Sequence, residues 1–88
     1  MDISDHRKRI DEIDSELIRL LDERMDIVKE IAEYKQAHGL EVFDPAREQE
    51  KLEAVGAQSS EETAEGNKAL FRLIMDLSKE HQRKMIEK

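Results

Sequence analysis

An all-α fold, three helices per chain, is predicted by three observations. From Ile10 to Tyr34 the apolar residues recur at steps of three and four, which places them on one helix face. Aromatics make up only 3% of the chain, with one proline and three glycines, and this composition favours helix over sheet. The main breaks fall between Gly39 and Pro45 and again from Gly56 to Ser60, which leaves three helical segments. The 88 residues read as a single domain, 1–88, and because 42% of them are charged its core is thin. Association is the expected remedy.

The first helix is the long one. Ser4 or Asp5 can cap it, and nothing interrupts the pattern until Gly39, so it runs to about His38. Its stripe comprises Ile10, Ile13, Leu17, Leu20, Leu21, Ile27, Val28, Ile31 and Tyr34. A helix of about 34 residues spans ~50 Å, whereas a compact domain of this size is roughly 30 Å across. One chain cannot cover such a helix. A second copy packed antiparallel or crossed along it can, so a homodimer interlocked through the first helix is expected.

The second helix is short, roughly Asp44 to Val55. Asp44-Pro45 supplies an N-cap and first-turn pair, and Gly56 is expected to close the helix. Ala57 to Ser60 reads as a loop, and Ser59 stands at capping-box spacing from Glu62. A medium-length third helix starts near Ser60 or only after Gly66, and carries Leu70, Phe71, Ile74, Leu77, Met85 and Ile86 at helical spacing.

Composition excludes several functions. A formal charge of −7 argues against nucleic acid and against an anionic membrane surface. Without cysteine there is no disulfide framework and no thiolate nucleophile or metal ligand, and His6, His38 and His81 are too dispersed for a ligand motif. The opening Met-Asp-Ile-Ser-Asp lacks signal-peptide character, and no run approaches membrane-spanning length. A cytoplasmic protein without metal or cofactor is expected.

Several polar residues share the packing faces. Leu17, Arg24 and Ile31 lie seven apart, so Arg24 falls inside the apolar stripe, and Lys35 follows Leu21 and Val28 by the same step. A long cation can lie along apolar surface and reach water at its edge. The alternative is a half-buried anion site, because a guanidinium on a packing face is costly unless something anionic meets it.

On the third helix Ser78 and Gln82 continue the line of Ile74, unless the stripe simply ends at Leu77. Arg47 in the first turn of the second helix opposes the helix dipole, whereas Asp44 is explained as a cap. Glu48 can face inward or pair with Lys51 at the surface, the commoner outcome. Arg7 is seventeen residues from Arg24, ~25 Å along a helix. The two can share a small ligand only across a dimer, with two identical sites.

In order and spacing these residues resemble the all-helical class of chorismate mutases. Arg7-Lys8-Arg9-Ile10-Asp11-Glu12-Ile13-Asp14 and Leu20-Leu21-Asp22-Glu23-Arg24 look like that family's first helix, as does Lys35. Phe43-Asp44-Pro45-Ala46-Arg47-Glu48 is similar to its second-helix entry, and Ser78 with Gln82 to its third-helix pair. The resemblance implies three helices per chain in an intertwined homodimer that converts chorismate to prephenate for phenylalanine and tyrosine synthesis, without a cofactor. It implies a pocket of Arg24, Lys35, Asp44, Arg47, Glu48, Ser78 and Gln82, with Arg7 supplied by the partner.

The chemistry suits those residue types. One C–O bond breaks as a C–C bond forms within one molecule, so no nucleophile or metal is needed and orientation dominates. Two substrate carboxylates call for forked cations, for which Arg7, Arg24 and Arg47 are the candidates, with Ser78 assisting. Lys35 and Gln82, by resemblance, meet the ether oxygen as it gains charge, while Asp44 and Glu48 meet the ring hydroxyl. Two rivals remain open: a lyase of the same fold that releases pyruvate from isochorismate, and a non-catalytic helical dimer acting as a regulatory or interaction module. A free-standing enzyme and a segment of a fusion protein are equally compatible with the sequence.

Overall fold

The computed structural model describes residues 2–86. They form α1 (Ile3–Ala37), α2 (Pro45–Gln58) and α3 (Ala64–Ile86), with no strand among the described residues. α3 packs against both other helices, and α1 and α2 meet only through it.

The helix ends differ from expectation in instructive ways. α1 begins earlier than a cap at Ser4 or Asp5 allows, because Asp2 is the cap. Its carboxylate accepts from the Asp5 backbone N–H at 3.0 Å, and Asp5 returns the bond to the Asp2 N–H at 3.1 Å. That reciprocal box, with aspartate in place of the usual glutamate, outcompetes a start two residues later. At the other end Gly39 adopts φ +65°. Its N–H reaches Gln36 O at 3.4 Å and Leu40 N–H reaches Lys35 O at 2.8 Å, the Schellman pattern that a left-handed glycine permits.

α2 is capped by Asp44, whose side chain accepts from Arg47 N–H at 3.0 Å. Gly56 does not close it. The helix runs on through it to Gln58, and a Cβ there would meet only the flexible end of the Lys68 side chain of α3, 2.6 Å from Cε. Ser59, the expected start of a capping box with Glu62, is instead the C-cap of α2. Its hydroxyl donates to Val55 O at 2.7 Å and accepts from Asn67 Nδ2 at 2.8 Å, tying α3 to α2. α3 then starts at Ala64 and passes through Gly66.

The single chain is a thin, elongated body, 54 × 27 × 14 Å. Its radius of gyration is 16.2 Å, against about 12 Å for a compact domain of this length. The thin axis leaves room for little more than one layer of helices, each about 10–12 Å across. The buried apolar residues are accordingly few: Val28, Ala32, Val55 and Met75. Every residue from 2 to 23 is exposed, including Ile10, Ile13, Leu17, Leu20 and Leu21 of the stripe. Leu17 is 50% exposed, so covering it contributes about 1 kcal/mol. The chain carries an apolar face that its own fold leaves open.

Candidate active site

Where α1 and α3 do pack, they enclose with the start of α2 a cleft of about 450 Å³. Its apolar lining comes from Ile27, Val28 and Ile31 of α1, Val42 of the connection and Met75 of α3. Into it turn Arg24, Lys35, Asp44, Arg47, Glu48, Ser78 and Gln82, seven of the eight polar residues singled out in the sequence. Arg7 is elsewhere, exposed on the far part of α1.

Arg24 is held by α3. Its Nη1 donates to Ser78 Oγ at 2.9 Å, and that hydroxyl donates in turn to Ile74 O at 2.7 Å. Ser78 is 6% exposed, so the stripe does not end at Leu77 but continues inward in polar form. Burial, and secondarily the nearby Arg47, lowers the Arg24 pKa from its ordinary value. The guanidinium nonetheless stays charged at neutral pH. A cation thus waits in a place that disfavours cations.

Lys35, near the end of α1, donates to Val42 O at 2.7 Å, a bond made possible by the turn at Gly39. Gln82 is 6% exposed, and its Oε1 has no hydrogen-bond partner. An unpaired buried polar atom costs about 1–3 kcal/mol. A polar ligand would satisfy it.

The first turn of α2 behaves less simply. Arg47 lines the cleft, yet its Nη1 lies 2.6 Å from Glu50 Oε1 in a pair that is mostly exposed. Such a surface pair is worth little and is readily exchanged for a ligand carboxylate. Glu48 does not take the commoner surface partner Lys51. Lys79 of α3 holds it instead, with Nζ 3.0 Å from Oε2, and both side chains are three-quarters or more buried.

Sequence reasoning missed Lys51 and Lys79, which also line the cleft. Spacing held the signal: Lys79 is four residues after Met75 and three before Gln82, and Lys51 is three after Glu48. Five cations of the cleft therefore face two carboxylates, Asp44 and Glu48. This surplus sits inside a chain of net charge −7, so the local field and not the total charge suits an anion. Among the described residues no group of three or more His, Asp or Glu side chains is placed to hold a metal ion.

A short, positively charged cleft in an all-helical chain is one feature of a known class. Residues 6–83 match the model of the family described as chorismate mutase type II, and the chain belongs to that family. It is 29% identical over 87 residues to the chorismate mutase of Methanocaldococcus jannaschii, which spans 97% of this chain and 88% of that protein. A T-protein of Haemophilus influenzae is 38% identical over 52 residues, 59% of this chain and 14% of the relative. A bifunctional chorismate mutase/prephenate dehydratase of Aquifex aeolicus is 41% identical over 54 residues, 61% of this chain and 15% of the relative. The activity is that of the family: an isomerase that rearranges chorismate to prephenate in aromatic amino acid biosynthesis. No helix of the described residues is long and apolar enough to cross a membrane.

Proposed function

We propose that residues 1–88 act as one catalytic domain that works as an intertwined homodimer, with two identical clefts each completed by Arg7 of the partner subunit. The observation that carries this reading is the contrast along α1. Its last third packs on α3 and lines the cleft, while residues 2–23 are all exposed and carry an apolar stripe. A second α1 laid along that stripe buries it and brings a distant arginine to the open side of the cleft.

In this reading Arg24, Arg47 and Arg7 of the partner subunit grip the two carboxylates of chorismate, and Ser78 orients Arg24. The clamp holds the enolpyruvyl arm over the ring, and orientation of this kind supplies up to ~7–11 kcal/mol in an ideal case. Lys35 and Gln82 face the ether oxygen. As the C–O bond lengthens, that oxygen gains negative charge, and donors aimed at it bind the transition state more tightly than the substrate. Asp44 and Glu48 accept from the ring hydroxyl. The two cations engaged in replaceable contacts, Lys35 on Val42 O and Arg47 on Glu50, support these roles.

The shared site is tested by breaking the stripe far from the cleft. Leu17→Glu places a charge on the exposed part of α1, and sedimentation is expected to show a single-chain mass. Turnover of chorismate is expected to fall at least ~100-fold, although every cleft residue of the chain is intact. A single-chain species with wild-type turnover would refute the dimeric site.

A further inference from the structure

Lys79 and Glu48 form the one ion pair among the described residues that joins two helices; the others link residues three or four apart. It is also the most enclosed, with side-chain exposures of 17% and 24%. Lys79 Nζ lies 3.0 Å from Glu48 Oε2 and 3.3 Å from Oε1, and 3.3 Å from Asp76 Oδ1. It stands 4.8 Å from the centre of the Phe43 ring, immediately before the α2 cap. One ammonium therefore fastens both the entry of α2 and the Glu48 carboxylate to α3.

We propose that Lys79 is a positioning residue, which holds the Glu48 carboxylate turned into the cleft and offsets its charge, so that it can accept from a substrate hydroxyl beside a bound dianion. The inference rests on the reading of the cleft as a chorismate site. An isolated carboxylate there would repel a dicarboxylate substrate. Lys79 offsets that repulsion. The other charged groups of the cleft are Arg24 and Lys35 from α1, with Asp44, Arg47 and Lys51 from α2 and its cap. Arg47 is engaged by Glu50, Lys35 donates to Val42 O, Arg24 donates to Ser78 and Asp44 caps α2. Lys51 stands 5.6 Å from the centre of the Phe71 ring. Neutralising Glu48 therefore falls to Lys79. Hydrogen bonding to Glu48, chiefly, raises the Lys79 pKa against the opposing effect of burial, so the ammonium persists throughout the working pH range.

The test is steady-state kinetics with chorismate at about pH 7.5. Lys79→Met is expected to raise KM at least ~10-fold, with kcat changed less than ~3-fold. In a Glu48→Gln background, where no carboxylate is left to offset, the same change should alter KM less than ~3-fold. Lys79→Arg should stay within ~3-fold of wild type, as a cation is retained. Lys79→Gln keeps a hydrogen-bond donor without the charge; should the methionine variant fail to fold, it must show the same rise in KM. An unchanged KM in the neutral variants, or an equal rise in both backgrounds, would overturn the inference while wild-type turnover leaves the chorismate site standing. A wild-type protein that neither binds nor converts chorismate overturns both.

Discussion

Arg24→Met is expected to lower kcat/KM for chorismate by about 10²–10³-fold without lowering the melting temperature. The activity loss follows from the position of the guanidinium. It is fixed by Ser78, whose own proton goes to Ile74 O, so in the proposed role Arg24 meets an incoming carboxylate already oriented. Methionine keeps the length and apolar stem but offers no donor. The stability expectation follows from the sign of the pKa shift. Burial lowers the Arg24 pKa, so its charged form is less favourable in the fold than in the unfolded chain. Throughout the pH range where Arg24 is charged, it therefore weakens the empty protein. Methionine removes that burden, and Ser78 still has Ile74 O as an acceptor. Thermal scans with a dicarboxylate transition-state analogue separate the two effects. The wild type should gain stability with ligand concentration and the variant should not. A variant that melts far below wild type, or retains near-wild-type turnover, would contradict this role.

Mixing two dead enzymes is expected to produce a living one. In the proposed dimer, Arg7→Ala and Arg24→Ala homodimers each lack one cation in both sites. After subunit exchange, a heterodimer has one site with Arg24 and Arg7 both present and one with neither. Random pairing of equal amounts then restores about one quarter of wild-type activity. The geometry leaves no route to this result within one chain. Arg7 and Arg24 share one continuous helix, seventeen residues and ~25 Å apart, and the cleft forms around only one of them. Verified exchange without recovered activity would show that Arg7 serves no site in the partner.

Much of the fold was legible because each helix carries a physical signal in its residues. The Asp44-Pro45 pair marked the start of α2, and Gly39 marked the end of α1 by the one backbone conformation that favours glycine. Gly56 misled because a glycine is tolerated inside a helix as well as past its end, at a cost of about 1 kcal/mol relative to alanine, and the sequence does not tell the two apart. Asp2 was overlooked for a related reason. Asp5 is itself a good cap residue, and the reciprocal bond that enlists it for an earlier cap depends on geometry.

The cleft was legible in part for the same cause. Arg24, Ser78 and Gln82 broke the apolar pattern and so announced themselves. Lys79 did not, since a lysine in a charged helix looks like solvated surface until Glu48 and Phe43 are seen beneath it. For Glu48 the sequence offered an inward face or a surface pair with Lys51, and the pairing with Lys79 depends on how α3 crosses α2. Periodicity within one helix cannot contain that crossing.

The central claim is tested most directly by incubating the pure protein with chorismate and identifying the product. The expected result is stoichiometric prephenate, formed without added metal or cofactor and blocked by a bicyclic dicarboxylate analogue of the transition state. Unchanged chorismate would contradict it. So would a protein that leaves chorismate intact but releases pyruvate from isochorismate.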